Sequence, residues 1–156
     1  MGSTNNGTGH LELSVWVRLM KAHGLMLRAA RRGVAPSLTL PQFDVMAQCA
    51  RSKSGLTASE LSRRLLVTAG NLTGVIDRLD KDGLVTREAH ERDGRASRIR
   101  LTPSGRRMMR RALPRHARDI AGVLRGVPRD DLKRLRALLA RLSHALEEGA
   151  PRRRTP

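Results

Sequence analysis

The spacing of apolar and polar positions along the chain predicts a mainly helical protein. In six segments the apolar residues recur at steps of three and four, which is the period of an α-helix. Residues typical of helix starts precede several of these segments, and residues typical of helix ends follow them. The predicted helices cover residues 11–32, 41–52, 57–66, 68–83, 102–125 and 128–148.

The first and last of these helices carry more apolar surface than one domain is expected to cover. The first helix leaves only a narrow polar stripe, so we expect other elements to cover it on more than one side. The leucine repeat of the last helix is either a coiled-coil seam or a face that packs on its own domain, and it is too short for an independent coiled coil. Its leucines are Leu132, Leu135, Leu139, Leu142 and Leu146.

Capping residues define the boundaries in the middle of the chain. Thr57 and Glu60 fit a capping box, and Leu56 is placed to pack on Leu61 as a hydrophobic staple. Thr68 is placed to cap the next helix. The spacing therefore predicts two short helices joined by a tight turn.

The helical pattern stops after the fourth predicted helix. Residues 84–89 and 97–101 are predicted to form two short strands, with a hairpin turn at Asp93-Gly94 between them. The helix that follows contains Pro114, which is expected to kink or break it. The predicted fold class is mainly α with a small β-wing, in the arrangement of a winged helix-turn-helix.

The charge balance favours a polyanionic partner. The chain has 31 Lys and Arg against 14 Asp and Glu, a net charge of +17, and such a surface attracts nucleic acid or an anionic membrane face. No apolar run reaches the length of about 18 residues that spans a bilayer, so we expect no membrane partner. Trp16 and Phe43 are the only aromatic residues, which disfavours recognition of RNA by base stacking. Double-stranded DNA is therefore the expected partner.

Other classes of function are disfavoured by what the sequence lacks. Cys49 is the only cysteine, so neither an intramolecular disulfide nor a cysteine-ligated zinc site is expected, and Cys49 itself is expected to be a small buried hydrophobe. The histidines are scattered, and no phosphate-binding, dinucleotide-binding or nucleophile motif is present. We therefore expect no enzymatic activity, no cofactor and no metal. The N-terminus lacks the features of a signal peptide, and a cytoplasmic location is expected.

A winged helix-turn-helix can occupy both grooves of DNA. A major groove admits one helix, and a narrow minor groove attracts an inserted arginine such as Arg95. Asn71 is suited to read adenine, whereas Asp77 is expected to pair with a nearby arginine because it would repel phosphates. Any one of these side chains alone would be an ordinary solvated group, so the hypothesis rests on their clustering. The predicted DNA contacts are Arg63, Arg64, Thr68, Gly70, Asn71, Thr73, Gly74, Arg78, Arg92, Asp93, Arg95 and Arg98.

Two stretches, in this order and spacing, resemble the MarR family of bacterial transcription regulators. They are LTASELSRRLLVTAGNLTGVIDRLDKDGLV at 56–85 and ERDGRASRIRLTPSGR at 91–106, and the resemblance covers roughly residues 11–148. It implies an intertwined homodimer of winged helix-turn-helix subunits. The implied organisation is a flexible N-terminal tail at 1–10, dimerisation helices at 11–40 and 103–148, a DNA-binding lobe at 41–102 and a basic C-terminal tail at 149–156.

The resemblance also implies a function. It predicts a sequence-specific repressor that binds a palindromic operator and is released by a small ligand or by oxidation, with Asp93 orienting Arg95 through an ion pair. The net charge of +17 permits a second hypothesis, an architectural protein that binds DNA without sequence preference. The ratio of operator affinity to random-DNA affinity separates the two hypotheses.

An effector site is expected near the first helix. One face of that helix carries a tryptophan, a methionine and a histidine, which either line a ligand cavity or pack in the core. A urate-responding branch of the family uses a Trp, an Asp and two Arg, and Val75 stands at the place of one of those arginines. The expected effector is a small anionic or aromatic molecule. The predicted effector residues are Trp16, Met20 and His23 on the first helix and, by the resemblance, Trp16, Asp44 and Arg87.

Overall fold

A computed structural model describes residues 8–34, 37–90 and 93–149 of the chain, with side chains described over these ranges except at residues 8, 32, 33, 89, 90 and 93–96. All six predicted helices are present. The elements are α1 (Thr8–Gly33), α2 (Leu40–Ala50), β1 (Leu56–Thr57), α3 (Ala58–Leu65), α4 (Ala69–Lys81), β2 (Val85–His90), β3 (Asp93–Leu101), α5 (Pro103–Val123) and α6 (Arg129–Gly149).

The chain divides into two compact units. They are Met1–Ala121 and Gly122–Pro156. The first unit holds a winged helix-turn-helix, in which α3, a tight turn and α4 are followed by the β2–β3 hairpin. The second unit contains α6, and none of the residues of α6 is buried.

Local capping explains where the short helices begin. The backbone N–H of Thr57 donates to Glu60 Oε2 at 2.7 Å, and the N–H of Glu60 donates to Thr57 Oγ1 at 3.2 Å, which confirms the predicted capping box. The hydrogen bond from the Thr57 backbone lowers the pKa of the Glu60 carboxyl. A second capping box, between Thr39 and Gln42, starts α2 and was not predicted.

The turn between α3 and α4 contains one residue in an uncommon conformation. Leu66 has a φ of 54° in the left-handed region and is 90 % exposed. That region disfavours residues with a Cβ atom. Thr68 then caps α4, because its hydroxyl oxygen accepts from the backbone N–H of Asn71 at 3.5 Å, as predicted.

The sheet has three antiparallel strands in the order β1-β3-β2. Strand β1 was missed by the sequence pattern because it is only two residues long. The predicted turn at Asp93-Gly94 is wrong, since β3 begins at Asp93 and His90 pairs with Asp93. The register shifts between Ala89 and His90, so the strand tip carries an irregularity.

The core of the lobe joins α2, α3, α4, the sheet and the first half of α5. Gly105 of α5 lies so close to Leu84 that a Cβ there would collide with the Leu84 carbonyl oxygen. Gly55 has a φ of +78°, and a Cβ there would lie 2.5 Å from Cγ of Arg100. Both positions therefore require glycine, one for close packing and one for a left-handed turn.

Helix α5 differs from its prediction at Pro114. The helix continues from Pro103 to Val123 with Pro114 inside it, so a break at Pro114 is wrong, whereas the alternative, a kink, stays a prediction. Its start is capped by Thr102, whose hydroxyl oxygen accepts from the backbone N–H of Gly105 at 3.1 Å. Helix α1 begins at Thr8, three residues inside the segment that was predicted to be a flexible tail.

Candidate nucleic-acid interface

Helix α4 has two chemically different sides. Leu72, Ile76 and Leu79 are buried in the core. Asn71 and Arg78 are exposed and lie away from that buried side. This division leaves a polar face of the second helix of the motif available to a partner.

Two glycines on α4 have no packing role among the described residues. Nothing in the described part of the chain lies within 4 Å of a Cβ placed on Gly70 or Gly74, yet each glycine costs a helix about 1 kcal/mol relative to alanine. Thr73, on the same helix, is exposed and donates its hydroxyl to the Ala69 carbonyl oxygen at 2.9 Å. The two glycines therefore leave a smooth strip of backbone on the exposed side.

The end of helix α3 adds positive charge near the turn. Arg63 and Arg64 lie in its last turn, and both are exposed. Neither forms an ion pair among the described residues. Their guanidinium groups are therefore free to bind an anion in the position where phosphate contacts were predicted.

Arg98 has a structural contact that the sequence did not predict. It is only partly exposed, and its Nη1 donates to the carbonyl oxygen of Gly55 at 3.1 Å. Arg100 lies two residues further along β3, on the same face of the strand. It donates to Glu88 Oε2 at 2.8 Å and to the Lys53 carbonyl oxygen at 2.9 Å. These two arginines hold the loop before β1 against strand β3.

Arg87 pairs with the acidic residues of α4. It forms an ion pair with Asp77, and its Nε lies 3.9 Å from Asp80 Oδ2. This confirms that Asp77 pairs with a nearby arginine. It also places Arg87, one of the predicted effector residues, at the junction between α4 and β2.

The wing tip is only partly described. The backbone of Asp93 and Arg95 belongs to β3. Arg92 and the side chains of Asp93 and Arg95 lie outside the described residues. The predicted ion pair between Asp93 and Arg95 thus stays a prediction.

A crevice of about 390 Å³ lies in the lobe, between α2, the end of α3 with the turn that follows it, and α4. Among the described residues, Asp44 is the one ionisable group in its lining, and burial raises the pKa of that carboxyl, partly offset by His116. Asn71 reaches the same crevice from α4. The lining residues are Pro41, Asp44, Val45, Leu65, Val67, Asn71, Leu72 and Val75.

Of the five predicted effector residues, only Asp44 lines this crevice. Trp16, Met20 and His23 are exposed on α1, with Trp16 59 % exposed. The structure therefore does not place these three residues in a cavity of the described chain. The contribution of Asn71 and Val75 to the crevice was missed, because nothing local in the sequence links α4 to Asp44.

Cys49 is buried, as predicted, and forms no disulfide. Burial raises the pKa of its thiol to about 11, so the thiol stays protonated near neutral pH. Over the described ranges, no three His, Cys, Asp or Glu side chains are grouped so as to hold a metal ion. Among the same residues, no helix is both long and apolar enough to cross a membrane.

Comparison with known proteins identifies related sequences. A family model described as MarR family matches residues 37–96. The transcriptional activatory protein BadR of Rhodopseudomonas palustris is 32% identical over 111 residues, which cover 68% of this chain and 63% of BadR. The HTH-type transcriptional repressor YetL of Bacillus subtilis is 35% identical over 92 residues, which cover 56% of this chain and 55% of YetL. In both cases the match spans less than two thirds of the relative's length.

Solved structures share the fold along most of the chain. A MarR family transcriptional regulator from Silicibacter pomeroyi has a TM-score of 0.77 and 30% identity, and the match covers 91% of this chain and 99% of that one. The PcaV regulator of Streptomyces coelicolor, solved with its natural ligand, has a TM-score of 0.66 and 28% identity, with 93% and 99% covered. These proteins are transcriptional regulators, not enzymes. The chain has a winged helix-turn-helix in its first unit, and its match covers 99% of a MarR family regulator that is 30% identical to it. The chain therefore belongs to the MarR family.

Proposed function

We propose that this protein is a transcriptional regulator that binds duplex DNA in a sequence-specific manner as a homodimer. The two-sided helix α4 carries this proposal. Its apolar side, with Leu72 and Ile76, is buried in the core, and its exposed side offers Asn71 and Arg78. A helix held in this way presents a fixed set of polar groups to a major groove, where each base pair has a distinct pattern of donors and acceptors.

The surroundings of α4 support the same partner. Gly70 and Gly74 have open space where a Cβ would lie, which permits close approach of the helix backbone to DNA. Thr73 and Asn71 are suited to base edges, and Arg63 and Arg64 to phosphates. The phosphate contacts position the lobe, and the base contacts supply sequence preference.

The wing is proposed to occupy the adjoining minor groove. Strands β2 and β3 directly follow α4 and extend to the segment that contains Arg95. A narrow minor groove has a strongly negative potential that attracts arginine. In this proposal Arg92 and Arg95 contact the minor groove and Asp93 orients Arg95, whereas the hydrogen bond to Gly55 gives Arg98 mainly a bracing role.

The proposed assembly is a homodimer on a palindromic operator. In the proposed organisation, residues 41–102 bind DNA and residues 11–40 and 103–148 form the dimer. A palindromic operator is proposed because a two-fold dimer matches two half-sites. We propose repression as the regulatory effect, although one relative is named an activator and the other a repressor. Bacterial DNA as the partner implies that the protein acts in the cytoplasm.

A small molecule bound in the Asp44 crevice is the proposed signal for release. Asn71 lines this crevice and is also a proposed base contact, so an occupant touches the recognition helix directly. The sequence left anionic and aromatic effectors open. The crevice disfavours an anion, because its lining holds one carboxyl group and no basic side chain that would neutralise it, and its mostly apolar lining suits the aromatic alternative. The ligand-bound structure of PcaV supports ligand response in a relative of this fold.

Selection of duplexes from a random pool tests the central proposal. A sequence-specific regulator should bind the selected operator at least about 1,000-fold more tightly than random duplex. Nearly equal affinities would favour the architectural hypothesis, which the net charge of +17 also permits.

Two variants then assign the contacts. Asn71→Ala should change the preferred base within the half-site. Arg95→Ala should cost affinity mainly on operators with A·T-rich, narrow minor grooves, and thermal melting should show an unchanged fold. If Arg95→Ala bound all flanking sequences like the wild type, the wing would not contact DNA.

A further inference from the structure

The first part of helix α5 carries an unusual concentration of positive charge. Residues 103–118 contain six arginines and no acidic residue. All six arginines are exposed. They are Arg106, Arg107, Arg110, Arg111, Arg115 and Arg118.

These arginines form one continuous outer face. The opposite side of the helix is buried in the lobe through Gly105, Met109 and Ala112. With 3.6 residues per turn, the six arginines fall within an arc of about 180° that is centred away from those buried residues. We call this surface the arginine face of α5. Because Gly105 packs tightly against Leu84, the lobe holds this face in a fixed position.

The arginine face is not neutralised within the described chain. None of its six side chains forms an ion pair among the described residues, and Arg118 donates only to the Pro114 carbonyl oxygen at 3.4 Å. By contrast, Arg87 and Arg100 are paired with carboxylates. Like charges at i and i+4, such as Arg107 and Arg111, destabilise a helix. A surface of this kind is therefore suited to an anionic partner.

The chemistry of the chain narrows the choice of partner. A second copy is poorly suited to this face, because each copy carries 31 basic residues against 14 acidic ones and the two net charges repel each other. A membrane surface would need the apolar side of the same helix, and that side is buried in the core. Single-stranded nucleic acid would need aromatic side chains for stacking, and the face has none. The phosphates of duplex DNA remain.

We propose that the arginine face binds the sugar-phosphate backbone of duplex DNA that flanks the operator, beyond the half-site. Helix α5 begins two residues after the end of wing strand β3, so the face starts at the base of the wing. It extends about 18 Å from Arg106 to Arg118 at 1.5 Å per residue. A duplex of that length carries about 10 phosphates. The contact needs no particular base sequence and adds affinity on long DNA. It rests on the proposed DNA binding.

The test compares two duplexes that contain the same selected operator. One ends at the half-sites, and the other extends by about 15 base pairs of unrelated sequence on each side. The wild-type protein should bind the long duplex at least about tenfold more tightly at 0.1 M salt, with a steeper dependence of log K on log salt, by about 0.9 per additional phosphate. In Arg107→Gln/Arg111→Gln/Arg115→Gln, whose substitutions keep helix propensity, the long duplex should lose this advantage and the short duplex should bind as before.

Two controls separate position from total charge. Lys133→Gln/Arg134→Gln/Arg136→Gln on α6 removes the same net charge and should keep the advantage of the long duplex. Arg63→Ala should weaken binding to both duplexes alike and make the salt dependence shallower by about one unit per lobe.

The outcomes distinguish this inference from the proposed function. Equal affinity of the wild type for both duplexes, or an undiminished length advantage in the α5 variant, would overturn the arginine-face contact and leave operator binding intact. Equal losses in the α5 and α6 variants would overturn it too, because the effect would then follow total charge. Failure of the wild type to select any operator would instead overturn the proposed function.

Discussion

The lobe and the long helices at the two ends of the chain place their apolar residues differently. In the lobe, α2 and α4 bury their apolar sides in a shared core. Within the described residues, α1 contributes only Ala29 to the buried set, and α6 contributes none. The large side chains of Trp16, Leu138 and Leu146 are instead 59 %, 58 % and 65 % exposed.

This difference indicates how each region is stabilised. The lobe contains its own core, whereas α1 and α6 carry apolar faces that a single chain leaves in contact with water. Contiguous exposed apolar surface of this kind is typical of an interaction site. The comparison therefore predicts that the lobe folds on internal contacts and that α1 and α6 depend on a second subunit.

The largest expected effect comes from charging the leucine face of α6, which consists of the exposed Leu135, Leu138, Leu139, Leu142 and Leu146. Leu138→Lys/Leu142→Lys should weaken the homodimer at least about 1,000-fold, because each leucine contributes about 1.5–3 kcal/mol when buried and the dimer contains two of each. Sedimentation should show a dimer at micromolar concentration for the wild type and a monomer for the variant. Lys133→Gln, away from the leucines on the same helix, serves as the control. If the variant remained dimeric, this face of α6 would not lie in the dimer interface.

A smaller effect is expected from a cavity in the lobe. Ile76→Ala should lower the free energy of unfolding by about 2–5 kcal/mol, because Ile76 is 2 % exposed in the core. Its dimer dissociation constant should stay unchanged, as measured by sedimentation under native conditions. Leu139→Ala on α6 should show the reverse, a weaker dimer with little loss of lobe stability. Should Ile76→Ala weaken the dimer as well, the lobe and the dimer helices would not be independent.

The smallest expected effect concerns the half-buried carboxyl of Asp44 in the lobe. Burial raises the pKa of Asp44 above its ordinary value of 3.8, so the folded state holds the proton more tightly than the unfolded chain. The resulting stability is fully present below pH 3.8 and is lost as the pH rises through the raised pKa. Asp44→Asn should therefore melt at a higher temperature than the wild type at pH 7, and the two should converge in acid.

An exposed carboxyl on α6 provides the matched control. Asp130 pairs with Lys133 at 2.8 Å, and both side chains are largely exposed. Because an exposed pair contributes little to stability, Asp130→Asn should change the melting temperature little at either pH. A stabilisation by Asp44→Asn that persisted unchanged at low pH would rule out titration of Asp44 as its cause.

Much of the fold could be predicted because it depends on neighbours in sequence. The capping box of Thr57 and Glu60 involves residues three positions apart, and the cap of Thr68 acts on α4 in the same way. The apolar period of α4 predicted which side is buried. The same period also separated Asn71 from the core, so the proposed base contacts on α4 could be chosen from the sequence. In these cases the determining interaction lies within one turn of helix.

What the tertiary structure decided involves residues far apart in sequence. The register of the wing, with His90 opposite Asp93, depends on pairing across two strands, and the local Asp-Gly signal gave the wrong turn. The bond from Arg98 to Gly55 spans 43 residues, and the crevice brings Asp44 to Asn71 and Val75. Periodicity reports which side of an element is buried, but not which element covers it. By itself, the sequence determined the six helices, the two wing strands, the buried and exposed sides of α4 and the family resemblance, and packing decided the register of the wing, the short strand β1 and which faces meet.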